Sequence, residues 1–154
     1  MNTSSVIDFS EVDRLFKKLG RQYSKDIVHA LSTTAQQGIV VILDRTEKGK
    51  GYQSRFKRYS PQYAQAKAQG WPRTKTRRAF GGDPSGKVNL MVSGNMLSSI
   101  KSTVDKSKLT AEIGFSRAIE AKKAYWNNRT RPFFGFNQRE KNFLRKFFYK
   151  RLTK

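Results

Sequence analysis

The sequence predicts an α+β subunit, a small antiparallel β-sheet flanked by N-terminal helices and a C-terminal amphipathic helix. Three observations carry that prediction. Apolar residues recur at helical spacing up to about residue 47, alternate with polar ones between residues 88 and 115, and return to helical spacing after residue 137. At 154 residues the chain has an ordinary single-domain length. Residues 1–154 are therefore read as one domain, with 71–87 as a basic Gly/Pro-rich loop or arm within it.

The first helix signal is Ser10 with Asp13 three residues later, a capping-box-like start. Val12, Leu15, Phe16 and Leu19 then form one apolar stripe, and Gly20 is the stop. A longer helix is expected from about Gln22 to Glu47, with Tyr23, Ile27, Ala30, Leu31, Thr34, Gly38 and Val41 on one face. Its end, Ile39-Val40-Val41-Ile42-Leu43, is β-branched enough to read equally as a buried strand. His29, mid-segment and without a second ligand, is read as an ordinary, partly buried histidine. Lys48-Gly49-Lys50-Gly51 reads as a flexible exit. Tyr59-Ser60-Pro61-Gln62-Tyr63 begins a short helix, because proline at the first turn loses no hydrogen bond that a helix would make. That helix carries Ala64, Ala66, Lys67 and Ala68 and stops at Gly70.

From Trp71 to Lys87 the chain reads WPRTKTRRAFGGDPSGK. Gly81-Gly82 and Pro84 disfavour helix or strand, and Arg73, Lys75, Arg77 and Arg78 repel one another. This arm is expected to lack fixed structure in the isolated subunit and to order on assembly against an acidic protein surface or DNA. Val88, Leu90 and Val92 then alternate like a half-buried strand. Ser93-Gly94-Asn95 turns the chain, and Met96, Leu97 and Ile100 fit a short helix. Thr103 and Val104 begin a second strand before the polar turn Asp105-Lys106-Ser107. Leu109, Ala111, Ile113 and Phe115 alternate as its antiparallel partner. Ser116 is the expected cap of a helix with Ile119 and Trp126 on its apolar side. The last helix begins at the cap pair Asn137 and Glu140, and Phe143, Leu144, Phe147, Phe148 and Leu152 share a face. A basic amphipathic helix of this kind suits a membrane surface or an acidic target, but packing of the Phe stripe on the chain's own sheet is the favoured reading.

Composition narrows the function classes. Lys plus Arg number 32 against 11 Asp plus Glu, a net charge of +21. Residues 1–47 are balanced, whereas 48–87 carry +10, 88–124 carry +3 and 125–154 carry +8. Such segments fit a polyanion or an acidic protein. Hydrophobic residues reach only 36%, but 11 Phe are too many for a disordered basic tail, so a small core with a wide polar periphery is expected. No apolar run is long enough to span a membrane, and residues Met1 to Ser10 show no secretory signal. No cysteine is present and His29 is the only histidine, so thiol catalysis, triads and cysteine or multi-histidine metal sites are excluded. Gly81-x4-Gly86-Lys87 mimics a phosphate-binding loop. Val88 stands where that motif needs a hydroxyl, and the flanks are not strand and helix. No acidic pair has metal or glycosidase spacing. No catalytic residue, cofactor or metal is expected, and the chain is read as not an enzyme.

Three segments, in order, resemble the virion morphogenesis, or tail completion, proteins of tailed bacteriophages. Residues 59–67, YSPQYAQAK, resemble that family's SPxYAxxK segment, with Tyr59, Pro61, Tyr63 and Lys67. Residues 88–100, VNLMVSGNMLSSI, resemble its L-x-x-(S/T)-G-x-(L/M)-L-x-S-I segment, with Gly94 and Leu97. Residues 131–136, RPFFGF, resemble its RPFLG(L/F) close, with Arg131, Pro132, Phe133 and Phe134. The chain departs from the family before this last motif, where Ala124-Tyr125-Trp126-Asn127-Asn128-Arg129 replaces a His-Gln-x-Gly-like stretch. The resemblance implies a structural protein made in the bacterial host cytoplasm and carried in the virion at the neck or tail end, where it joins tail to head. It implies a homo-oligomeric ring, hexamer or dodecamer, with other neck and tail proteins as partners, genomic DNA passing through, and no membrane. Arg73, Lys75, Arg77, Arg78, Arg145, Lys146 and Lys150 are the candidate contacts to partner or DNA. The alternative reading is a basic nucleic-acid-binding domain, although no zinc finger or RNA-recognition strand motif is visible.

Overall fold

A computed structural model describes residues 5–6, 24–71, 80–83 and 86–152. The fold is α+β. Strand β1 (Ser5–Val6) leads to helix α1 (Ser24–Glu47), α2 (Pro61–Gln69), and the two-residue strands β2 (Gly70–Trp71) and β3 (Phe80–Gly81). Then come α3 (Asn95–Ser98), β4 (Ile100–Asp105), β5 (Thr110–Phe115), α4 (Ala118–Thr130) and α5 (Gln138–Leu152). The main sheet is antiparallel in the order β1-β5-β4, and β2 pairs with β3 in a separate ribbon. Among the described residues no helix is long and apolar enough to cross a membrane. The predicted helix after Ser10 lies outside the described residues, as do Arg73, Lys75, Arg77 and Arg78 of the arm.

Helix α1 is the spine. Ile27, Ala30, Leu31, Thr34, Ala35 and Ile42 are buried on its inner side, where it meets the β4–β5 hairpin and α5. The ambiguous run 39–43 is helical: Ile42 is fully buried while Val40 is 54% exposed, a burial rhythm of the helical period. Gly38 explains how closely helix and sheet approach. A β-carbon there would sit 2.9 Å from Ile113 Cδ1 and 3.1 Å from the Phe136 ring. His29, expected to be partly buried, is exposed on the outer side of α1.

The hairpin forms as the alternation predicts, with Asp105 opposite Thr110 and Ile100 opposite Phe115. Asp105 Oδ1 closes the turn by accepting from the Ser107 amide and hydroxyl and from the Lys108 amide. Leu109 takes the left-handed conformation, so β5 starts one residue later than the alternation suggests.

Several expectations are corrected. Lys48 to Gly51 is a hydrogen-bonded loop rather than a flexible exit, because Gly49 and Lys50 donate to carbonyls of α1 and Phe56 returns to donate to Gly49. Gly81, expected to oppose strand formation, pairs in β3 with Gly70. Residues 88–92 form no strand. Asn89 folds its side chain back to accept from the Met91 amide at 3.0 Å, and Leu90 sits at φ 56°, so the run cannot be extended. Ile100 opens β4 instead of closing α3. Ser116 does not cap α4; its hydroxyl donates to the Ser99 carbonyl, and Arg117 stands at the cap without a side-chain bond. Ile119 and Trp126 face solvent at 64% and 55% exposure, and α4 buries Glu120 and Ala124 instead.

Helix α5 begins with the predicted box: Asn137 Oδ1 accepts from the Glu140 amide and Glu140 Oε2 from the Asn137 amide, both at 2.9 Å. Its Phe stripe packs on α1 rather than on the sheet, because α1 already covers that face of the hairpin. Leu144 and Phe148 are buried, Phe147 and Leu152 are half-buried, and Phe143 is 47% exposed.

Candidate functional site: a cleft where three segments meet

Helix α2 supplies the first wall of the cleft. Ser60 caps it, its hydroxyl accepting from the Tyr63 amide, with Pro61 in the first turn. One turn further on, Lys67 points inward and is only 2% exposed. Its ammonium reaches the Asp83 carboxylate at 2.9 Å, the Lys87 carbonyl at 2.9 Å and the Asn89 Oδ1 at 2.8 Å. Three acceptors for three N–H bonds compensate the desolvation of the charge. The same contacts pin Asp83 and residues 87–91 against α2, and the Asp83 amide adds a bond to the Lys67 carbonyl.

Tyr59 stands at the centre. Its hydroxyl accepts from the Leu90 amide at 3.2 Å. Its ring lies 5.4 Å from the Lys67 ammonium, 4.8 Å from the Arg131 guanidinium and 4.7 Å from the Tyr63 ring. Arg131 also donates to the Lys57 and Arg58 carbonyls, which fixes it across the ring. Burial pushes both the Tyr59 and the Tyr63 hydroxyl above the usual phenol value, with the Arg131 charge acting in the opposite direction.

Between these tyrosines, the 90–96 turn and α4 lies a cleft of about 540 Å³. Gly94, at φ 72°, turns the chain into α3 along its wall. Met96 lines it, while Leu97 is buried behind. Glu120 and Lys123 close the far side. Glu120 is 3% exposed; its Oε1 accepts from Lys123 at 3.1 Å, and Oε2 has no hydrogen-bond partner among the described residues.

The predicted motif residues thus divide into two sets. Tyr59, Tyr63, Gly94 and Arg131 line the cleft, and Lys67 braces it from beneath. Phe133 and Phe134 belong to the core, and the Pro132 carbonyl accepts from the Tyr52 amide. Arg145, Lys146 and Lys150 are exposed on α5 and do not line the cleft. Sequence reasoning missed Arg45 and Glu120. Arg45 sits at the end of α1, 8% exposed, and donates to Glu140 at 2.6 and 2.5 Å and to the Phe133 and Gly135 carbonyls at 2.6 and 2.9 Å. Only the capping role of Glu140 was readable locally; its partner is 95 positions away. Lys87 runs into the irregular segment 88–92 and not into a helix, which removes the remaining context for a phosphate-binding loop.

The cleft offers aromatic faces, amide and hydroxyl groups, one carboxylate and the cations Lys123 and Arg131, with no imidazole or thiol in its lining. Among the described residues no three His, Cys, Asp or Glu side chains gather as a metal site would require. Comparison with protein-family models, with curated proteins and with solved structures gives no match.

Proposed function

We propose that this chain is a structural virion protein of a tailed bacteriophage, a neck or tail completion component that assembles with its own copies and joins tail to head. One observation carries the reading. The three segments that resemble the tail completion family, far apart in sequence, converge on one cleft through Tyr59 and Tyr63, Gly94 and Met96, and Arg131. Side chains that serve only the core are buried, whereas these line an open cleft that a partner can reach. The test is complementation. Cells infected by phage unable to make this chain should accumulate filled heads and finished tails that remain apart, and purified chain added to the extract should restore infectious particles. Joined particles formed in its absence would overturn the proposal.

A second reading, a nucleic-acid-binding domain, is favoured by one feature. Arg139, Lys141, Arg145, Lys146 and Lys150 of α5 are exposed and make no ion pair among the described residues. Binding to random-sequence duplex DNA should then weaken steeply with salt, the logarithmic slope growing by about 0.9 for each phosphate neutralised. Shallow, weak binding would leave the assembly role alone.

A further inference from the structure

Helix α4 leaves a mixed apolar and cationic stripe open to solvent. Its sequence places Ile119, Lys122, Lys123, Trp126 and Arg129 at i, i+3, i+4, i+7 and i+10, and all five are exposed. Glu120, the one carboxylate of α4, is turned inward and takes Lys123, which leaves Lys122 and Arg129 without an acidic partner among the described residues. Trp126 is already held in place, edge-on to Tyr125 at 5.4 Å and with the Arg129 guanidinium 5.3 Å from its ring. A pre-ordered Trp beside Ile within a ring of cations has the composition of an interface centre. Docking of α4 on α4 of another copy would oppose like charges. Base stacking is a poor fit too, since Arg129 occupies a face of the indole and Ile119 has nothing to offer a base.

A complementary stripe exists on the same chain. The outer side of α1 presents Gln36, Val40, Asp44 and Glu47, all exposed, with Val40 as its apolar centre. Asp44 and Glu47 stand close together there, Asp44 sharing its carboxylate with the exposed Lys48. At 1.5 Å per residue the two stripes have matching lengths of about 15 Å. We propose that α4 of one copy docks on the outer stripe of α1 of a second copy. Ile119 and Trp126 cover Val40, and Lys122 and Arg129 face Asp44 and Glu47. The Asp44–Lys48 pair is exposed at both ends and exchanges at little cost, whereas Lys123 stays with the buried Glu120. A single helix-on-helix contact is smaller than the roughly 1,200–2,000 Å² of a stable complex, so the association is weak until several contacts close together. The inference rests on the reading of the chain as an assembling subunit.

The chain has no cysteine, so single introduced thiols report the contact cleanly. Val40→Cys and Ile119→Cys alter exposed positions and leave the core intact. Mixed in equal amounts at high concentration under mild oxidation, they should give mixed disulfide dimer about tenfold over either homodimer, against about twofold for random pairing. Lys122→Glu with Arg129→Glu in the Ile119→Cys variant should return the ratio to random. Adding Asp44→Lys with Glu47→Lys to the Val40→Cys variant should restore the excess. A mixed product at the random ratio in the unreversed pair, or a predominant 119–119 homodimer, overturns the docking. Sedimentation of the unaltered chain separates the two failures. Copies that associate without the 40–119 bridge overturn this contact alone, whereas a chain that stays monomeric at every concentration overturns the assembly reading with it.

Discussion

Two buried cations hold this molecule together, and they do different jobs. Arg45 bridges elements 88 to 95 positions apart: one nitrogen takes both oxygens of Glu140, and the other takes the carbonyls of Phe133 and Gly135. Lys67 reaches only 16 to 22 positions, to Asp83, Lys87 and Asn89. The planar fork of arginine suits a carboxylate beside a loop of carbonyls, whereas the compact ammonium suits three acceptors folded around it. Arg45 therefore organises the core, joining α1, the Phe-rich 133–136 turn and α5. Lys67 organises one wall of the cleft.

Breaking each cation should separate those roles. Arg45→Met leaves the Glu140 carboxylate mostly buried beside two unsatisfied carbonyls, and is expected to lower global stability by about 3–5 kcal/mol in denaturant unfolding. Arg45→Met with Glu140→Gln should recover part of that loss, because no unpaired charge remains. Lys67→Met should cost about 1–3 kcal/mol, since Asp83 lies near the surface and can hydrate. Its signature is local: hydrogen exchange at the Asp83 and Met91 amides should accelerate while α1 and α5 keep their protection. Equal global losses from both variants, with no local effect from Lys67→Met, would erase the distinction.

The cleft should also betray itself at high pH. Tyr59 and Tyr63 have folded pKa values raised above the unfolded value of about 10. The unfolded chain then loses its phenolic protons first, so their contribution to stability is complete below pH 10 and is lost as pH rises towards the folded values. Tyrosinate absorbance should show late-titrating phenols, and Tyr59→Phe should remove one of them. The smallest effect is expected on α4, where Ile119→Ser should change stability by no more than about 0.5 kcal/mol, measured by thermal unfolding. A larger loss would mean that the residue packs within its own subunit.

Much of the fold was legible because its signals are local. Ser60 followed by Pro61 starts α2, and Asn137 with Glu140 starts α5, through bonds that span three residues. The 109–115 alternation and the Asp105 turn carry the hairpin in the same way. The cleft was legible only in pieces. Tyr59, Tyr63, Gly94 and Arg131 could be singled out in their segments, but their convergence depends on Lys67 drawing Asp83 and residues 87–91 onto α2.

The sequence by itself determined where α2 and α5 begin, which residues alternate across the hairpin and how positive the chain is, since near neighbours and composition are enough for each. Tertiary structure alone decided which faces are inside. Residues 88–92 alternate like a strand yet wrap around a lysine that comes from another element. The Phe stripe of α5 packs on α1 because α1 reached the sheet first in space, with Gly38 against Ile113. Helix α4 shows Ile119 and Trp126 to solvent because its contacts with β5 and α3 are made through its other side, where Glu120 and Ala124 lie. Periodicity measures how apolar a stripe is; only the arriving neighbour, by covering one side and leaving another open, decides which stripe is buried.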